Sequence, residues 1–135
     1  MAVKNNNNSN NKKSQPKTKK RVSKGRAYIV TSYNNTIVTL TDTEGAALAA
    51  SSAGVVGFKG ARARTPYAAS RVAEDAVVRA SKYGLAEVDV FISGPGMGRQ
   101  MAVKSLRNAG LKILSLSDTT PIPHNGCRPK KQPRT

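Results

Sequence analysis

The acidic residues of this chain all lie in its middle, and both of its ends are basic without a single carboxylate. The seven Asp and Glu residues fall between Asp42 and Asp118, whereas residues 1–26 hold nine of the 23 Lys and Arg side chains. Basic segments without acids repel themselves and stay unfolded until a polyanion neutralises them. Nucleic acid is therefore the favoured partner, because the release of phosphate counterions drives such binding. Tails that only confer solubility are the weaker alternative.

The middle of the chain is long enough for one modest hydrophobic core. It contains no Trp, so Ala, Val, Ile and Leu must form that core. The single Cys excludes an internal disulfide and indicates a reducing compartment such as the cytoplasm. No apolar run approaches the roughly 20 residues of a membrane span, and the Asn- and Lys-rich start lacks the apolar stretch of a secretory signal.

The pattern predicts three successive strands after a disordered basic arm at residues 1–26. Residues 27–33 and 36–42 are rich in β-branched and aromatic side chains, which is typical of strands. Asn34 and Asn35 between them tolerate the positive φ that a tight hairpin needs. Residues 46–52 are small and apolar, and the short distance between turn signals favours a strand over a helix.

The stretch at residues 54–64 combines three glycines with one aromatic ring and three cations. Glycine permits close approach of a partner, the cations attract phosphate, and an aromatic ring can stack on a base. We interpret the stretch as a contact loop, with a plain loop of solvated cations as the alternative. Its proposed contact residues are Phe58, Lys59, Arg62 and Arg64.

Two helices and two strands are predicted in the second half. Thr65 and Pro66 form a typical helix start, an apolar stripe runs from Ala69 to Ala80, and Gly84 ends the helix. Residues 87–93 alternate as a strand, residues 99–108 form a second helix, and residues 111–117 form the last strand. The glycine-rich turn at residues 94–99 suits either a phosphate at a helix N-terminus or a simple tight turn.

The predicted fold class is α/β. Helices that follow strands imply parallel neighbours reached by right-handed crossovers, and the first three strands imply an antiparallel meander. We therefore expect a mixed five-stranded sheet with two helices in a domain at residues 27–118. The disordered basic arm at 1–26 precedes it, and an extended, proline-rich basic strap at 119–135 follows it.

The strap carries Pro121, Pro123 and Pro129, which exclude a helix and disfavour a sheet strand. It also holds His124 and Cys127, but no further His or Cys exists to complete a zinc site. We expect no metal and no cofactor. Asp42 and Asp89 meeting across the sheet to hold Mg²⁺ would give a metal-dependent nuclease, which is the enzyme alternative.

The Asn125-Gly126 pair is a candidate modification site. Glycine leaves its backbone nitrogen unshielded and free to reach the Asn side-chain carbonyl, which leads to isoaspartate. Free mobility of the strap before it binds its partner favours this reaction. The alternative is that packing against nucleic acid holds the peptide away from the reactive geometry.

Three stretches together resemble the bacterial-type small ribosomal subunit protein eleven family. They are the strap at residues 118–131, the segment at residues 57–60 together with residues 65–69, and the turn from Gly94 to Arg99. The resemblance implies a ribonuclease-H-like domain without nuclease activity, placed on the small-subunit platform beside the messenger RNA cleft. It also implies small-subunit ribosomal RNA and the small-subunit proteins seven and eighteen as partners. The Asn-rich stretch at residues 5–11 and the end at residues 132–135 depart from the family pattern.

The sequence thus predicts a structural ribosomal RNA-binding protein that is not an enzyme. We expect it in the bacterial cytoplasm, or less favourably in an organelle, without a membrane or a homo-oligomer. A nucleoid DNA-binding protein is the other alternative. The predicted ribosomal RNA-binding residues are Lys19, Lys20, Arg21, Lys24, Arg26, Phe58, Lys59, Arg62, Arg64, Arg99, His124, Asn125, Arg128, Lys130 and Lys131.

Overall fold

The computed structural model describes residues 21–133, which form five strands and three α-helices. The strands are β1 (Lys24–Thr31), β2 (Thr36–Asp42), β3 (Ala47–Ser52), β4 (Glu87–Ser93) and β5 (Lys112–Asp118). The α-helices are α1 (Ala53–Val56), α2 (Pro66–Ala80) and α3 (Arg99–Asn108), and short 3₁₀ segments cover Gly60–Arg64 and Ser81–Tyr83. Most of the predicted arm, including Lys19 and Lys20, lies outside the described residues.

The five strands form one mixed sheet in the order β3-β2-β1-β4-β5. β2 is antiparallel to both β1 and β3, whereas β4 is parallel to both β1 and β5. The α/β class with an antiparallel meander and parallel strands is therefore confirmed. The two predicted helices are present as α2 and α3, and the single turn of α1 is an addition. Within residues 21–133, no helix is long and apolar enough to cross a membrane.

Both long helices cover the same face of the sheet. Alternation along each strand sends every second side chain toward them, including Val38 and Leu40 of β2 and Val88 and Val90 of β4, all fully buried. The apolar stripe of α2 packs on these residues, and its many alanines let the helix lie close to the sheet. On the opposite face, the rings of Tyr28 and Phe91 stack with centroids 5.3 Å apart.

The first strand begins earlier than predicted. The sequence placed residues up to Arg26 in the basic arm, but Lys24, Gly25 and Arg26 belong to β1 and pair with both β2 and β4. Val22 is already buried, and its N–H donates to the Tyr83 carbonyl at 2.9 Å. Pairing on both sides of the strand outweighs the cationic pattern, so β1 begins three residues before the predicted strand start at Ala27.

The β1–β2 hairpin uses a different device from the one predicted. The Ser32 hydroxyl accepts hydrogen bonds from the N–H groups of Asn34 and Asn35, at 3.3 and 3.1 Å. Among the described residues, Asn125 is the only non-glycine with positive φ. The predicted left-handed conformation at Asn34 or Asn35 is therefore wrong. A serine side chain replaces it by satisfying the turn's donors.

The ends of α2 follow the sequence closely. The Thr65 hydroxyl accepts from the Ala68 N–H at 3.2 Å, which confirms the predicted N-cap, and Pro66 occupies the first turn. After the 3₁₀ turn at Ser81–Tyr83, Gly84 adopts the predicted left-handed conformation with φ of 73°. These ends determine where the loop before α2 begins and ends, and that loop carries the candidate contact residues.

Candidate nucleic-acid interface

Three of the predicted contact stretches leave the sheet at the same end. The carboxyl ends of the parallel strands β1, β4 and β5 share one edge of the sheet. β3 also ends there, because Thr31 pairs with Thr36 and Ile37 pairs with Ser52. The loop at residues 54–64 follows β3, the glycine turn follows β4, and the strap follows β5. The strand order therefore brings together stretches that lie up to about 70 positions apart in the sequence.

The basic loop is built from two short helical turns joined by glycines. Gly57 has φ of 102°, and its N–H bonds back to the Ala53 and Gly54 carbonyls, which ends α1. Gly60 has φ of 59° and starts the 3₁₀ segment. A Cβ at either glycine would meet nothing within 4 Å. These glycines therefore serve backbone conformation, and the surface beside them is open to a partner.

The three cations of the loop lie on this open surface. Lys59, Arg62 and Arg64 are exposed, and no carboxylate within residues 21–133 pairs with them. Their charge is therefore uncompensated locally and available to an anion. This arrangement agrees with the contact interpretation of the loop, which stays a prediction.

Of the two aromatic residues at this loop, the one that the sequence predicted as a contact is the less exposed. Phe58 is half-buried and packs against the hydrophobic core, and its ring meets the Tyr67 ring edge to face at 5.8 Å. Tyr67 is the more exposed of the two, with 62% of its surface accessible. Tyr67 is not among the stacking candidates that the sequence predicts. Its position off the apolar stripe, in the first turn of α2, is the signal that could have found it.

In the glycine turn after β4, backbone N–H groups are hydrogen-bonded and the glycines pack closely against neighbouring residues. The Gly94 N–H donates to the Thr120 hydroxyl at 3.2 Å, and the Gly96 N–H donates to the Thr31 hydroxyl at 3.1 Å. A Cβ at Gly98 would lie 2.6 Å from the Ala69 side chain. Because these two N–H groups already have partners, the geometry favours the tight-turn interpretation over a phosphate cradle.

The root of the strap is anchored to the same turn. Thr119 donates its N–H to the Ile92 carbonyl at 2.7 Å, and Arg99 pairs with Asp118 at 2.5 Å. Hydrogen bonds from Thr120 and then from Arg99 hold the pKa of the Asp118 carboxyl well below its usual range. Arg99, a predicted RNA contact, therefore already has a carboxylate partner. In this structure, the ion pair of Arg99 with Asp118 positions the root of the strap.

Beyond Thr120 the described strap contains no helix and no strand, and every residue from 121 to 133 is exposed. The chain bends at His124 and Asn125, where Asn125 has φ of 56°. The strap is thus not extended throughout, because Asn tolerates the left-handed conformation better than other non-glycine residues. Its predicted contact residues, His124, Asn125, Arg128, Lys130 and Lys131, are all free to meet a partner surface.

The remaining predicted contacts lie at the opposite end of the sheet. In the strand register, Lys24 lies opposite Glu87 of β4 and Gly25 lies opposite Asp42 of β2, at the amino ends of the parallel strands. Arg21 and Lys24 are exposed there. Arg26 is half-buried on the face without helices, and its hydrogen bond with the Tyr28 hydroxyl raises the pKa of its guanidinium. The basic arm and the basic strap therefore leave the domain at opposite ends.

The two carboxylates that the nuclease alternative requires, Asp42 and Asp89, do not meet in the structure. Asp89 alternates with Val88 and Val90 and therefore lies on the face without helices, where it accepts a hydrogen bond from Ser115 at 3.0 Å. Asp42 is buried on the helix side and accepts from the N–H groups of Glu44 and Ala46, both at 2.9 Å. The two carboxylates lie on opposite faces of the sheet. Among the described residues, no cluster of three His, Cys, Asp or Glu side chains could hold a metal.

Comparison with known proteins identifies a family model and relatives that are similar to this chain. The family model for ribosomal protein S11 matches residues 25–134, which leaves the Asn-rich arm outside the match. Two similar relatives are the small ribosomal subunit protein uS11 of two strains of Thermus thermophilus. Each is 53% identical over 119 residues, a match that covers 88% of this chain and 92% of the relative.

Proposed function

This chain belongs to the ribosomal protein S11 family, and we propose that the carboxyl end of its sheet is its main surface for small-subunit ribosomal RNA. The family is a structural constituent of the small ribosomal subunit and is not an enzyme. The observation that carries the proposal is the convergence of the basic loop and the basic strap at this end. Uncompensated cations on irregular backbone suit a fixed, folded RNA better than a uniform duplex.

Each contact element has a distinct role in the proposal. Lys59, Arg62 and Arg64 contact phosphates from the loop between α1 and α2. The strap follows the RNA surface with Arg128, Lys130 and Lys131, because it has too little apolar content to fold alone. Arg21, Lys24, Arg26 and the arm before them, including Lys19 and Lys20, contact RNA at the other end of the domain. Phe58, His124 and Asn125 complete the set of contacts that we propose.

The finer placement is also a proposal. We infer a position on the platform of the small subunit, close to the cleft where messenger RNA pairs upstream of the start codon. We also infer contact with the small-subunit proteins seven and eighteen, and a place in the bacterial cytoplasm. The likeness to the Thermus thermophilus relatives supports a bacterial ribosome. The antiparallel β1–β3 meander followed by parallel β4 and β5 supports the ribonuclease-H-like assignment.

Co-sedimentation tests the assembly. We expect the native protein to migrate with small subunits in a sucrose gradient of cell lysate. Ribonuclease or high salt should release it, because phosphate contacts dominate its binding. Migration with the nucleoid, and release by deoxyribonuclease alone, would instead support the DNA-binding alternative.

A triple substitution tests the site. Replacing Lys59, Arg62 and Arg64 by Ala should weaken binding to small-subunit RNA by about 1 kcal/mol or more for each charged side chain removed. The melting temperature should change little, since the three side chains are exposed.

The matched control removes three cations from α2 and the turn after it, by substitution of Arg71, Arg79 and Lys82 with Ala. It lowers the net charge equally but should have a much smaller effect on RNA affinity. Equal reductions in affinity for both variants would show that net charge alone governs binding, and that the basic loop is not a specific contact.

A further inference from the structure

A groove with an apolar floor separates α3 from the edge strand β5. α3 packs mainly against α2 and reaches β1, so it lies over the middle of the sheet and leaves β5 uncovered. Ile92, Val103 and Leu116 line this groove, which has a volume of about 650 Å³. Leu116 is 57% exposed, and Met97 at one end of the groove is 67% exposed. Burial of such aliphatic surface is the usual driving force for binding of a protein segment.

The rim of the groove is basic. Arg99 and Lys104 border it, and it continues along α3 to Arg107 and Lys112. Arg99 is paired with Asp118. No carboxylate within residues 21–133 lies at ion-pair distance from Lys104, Arg107 or Lys112. Lys104 and Arg107, two uncompensated cations beside an apolar floor, suit an occupant with both aliphatic and acidic side chains.

RNA fits this floor poorly. Single-stranded RNA is held by aromatic platforms on which its bases stack, and no aromatic side chain lines the groove. The shape instead suits a helix. Arg99, Val103 and Arg107 follow one another at intervals of four, so they form a ridge along the whole of α3, which is about 15 Å long. A second helix can pack beside such a ridge.

We propose that this groove binds an acidic amphipathic helix of a neighbouring protein. Leucine-like side chains of that helix cover Val103 and Leu116, and its carboxylates pair with Lys104 and Arg107. The site lies along α3 and β5, away from the basic loop, and meets the RNA surface proposed above only at the glycine turn. It therefore goes beyond the proposed function and does not depend on it.

The probe for the test is a fluorescein-labelled 14-residue peptide of Leu and Glu, with its leucines at helical spacing. Its binding to the full chain is measured by fluorescence anisotropy at physiological salt. The groove variant carries Met97→Gln and Leu116→Thr, and the matched control carries Val78→Asn and Ile122→Ser, two aliphatic residues exposed elsewhere. All four substitutions conserve charge, so the electrostatic attraction of the acidic peptide to the basic ends is the same in every protein.

We expect the groove variant to bind the peptide at least tenfold more weakly, and the control to stay within twofold of the natural chain. Lys104 is exposed, so Lys104→Glu should disturb folding far less, and it should weaken peptide binding at least fivefold. RNA affinity should not change with Met97→Gln and Leu116→Thr. Equal peptide binding by all the proteins would overturn the proposal, because the peptide would then be held by the basic ends. A loss of RNA affinity in the groove variant with unchanged peptide binding would identify the groove as an RNA surface and would also overturn it.

Discussion

Replacing Gly94 by Ala should destabilise the domain strongly while the folded protein still binds RNA. Gly94 has φ of 99°, a conformation that costs an L-residue about 1–2 kcal/mol. In addition, the new Cβ would lie 1.8 Å from the Thr31 carbonyl oxygen, which belongs to a central strand and cannot move freely. Overpacking of this kind costs about 1–3 kcal/mol. The expected total is about 2–5 kcal/mol, a large share of the stability of a small domain.

Two other glycines separate the two contributions. Gly45 has φ of 92°, but a Cβ added there would meet nothing within 4 Å, so Gly45→Ala should cost only the backbone contribution of about 1–2 kcal/mol. Gly96 has no positive φ, but its Cβ would lie 2.5 Å from the Ser32 carbonyl oxygen, so Gly96→Ala should cost mainly the overpacking contribution. Urea unfolding of the three variants gives the free energies, and the midpoint shifts should rank Gly94→Ala as the largest.

The RNA affinity of each folded variant completes the test. If the glycine turn is structural, the Gly94→Ala protein that remains folded should keep the RNA contacts of the basic loop, so its stability should fall far more than its affinity for small-subunit RNA. Unchanged unfolding free energy together with a large drop in RNA affinity would refute the reasoning. It would show that the backbone at Gly94 approaches a phosphate and not Thr31.

Four further outcomes are expected. Thr65→Ala should lower the unfolding free energy by about 1 kcal/mol in urea titration, because the hydroxyl caps α2. The affinity for RNA should fall steeply in a salt series, with a slope of log K against log salt of about −5 or steeper, and a slope near −1 would exclude the basic ends as the main anchors. Hydrogen bonds from Thr120 and Arg99 depress the pKa of Asp118, so these interactions should persist below the ordinary carboxyl pKa and disappear only in stronger acid. An NMR titration of the Asp118 carboxyl carbon with a normal midpoint would contradict this. Asn125 should form isoaspartate in the free protein on long incubation at neutral pH, and peptide mapping that finds it unmodified would show that the bend at this exposed residue holds Gly126 out of reach.

The strands and long helices could be predicted because their signals are local. Alternation along β4 placed Val88 and Val90 inward, and the structure buries both completely. Thr65 and Pro66 specified the start of α2 through one hydroxyl and one fixed φ. Each of these signals involves residues within a few positions of one another, so one sequence carries all the information they need.

The misplaced features depend on partners far away in the chain. Lys24 and Arg26 look like arm residues until β4 and β2 pair with them on both sides. The role of the glycine turn was left open between phosphate binding and packing, because nothing near Gly94 in the sequence identifies Thr120 as the acceptor of its N–H. The groove beside α3 was not predicted at all, since it exists only because α3 packs toward α2 and leaves β5 bare.

Stability and the direction of the strap share one network at the carboxyl end of the sheet. The Thr31 hydroxyl accepts from Gly96, and the Thr120 hydroxyl accepts from Gly94, so the same turn joins a central strand to the first residues of the strap. Asp118 reinforces the joint from β5 through Arg99. A substitution that displaces the turn must therefore move the root of the strap as well as weaken the core. RNA contacts made by the exposed strap depend on this joint for their starting direction, although none of the joint's hydrogen bonds requires RNA to form.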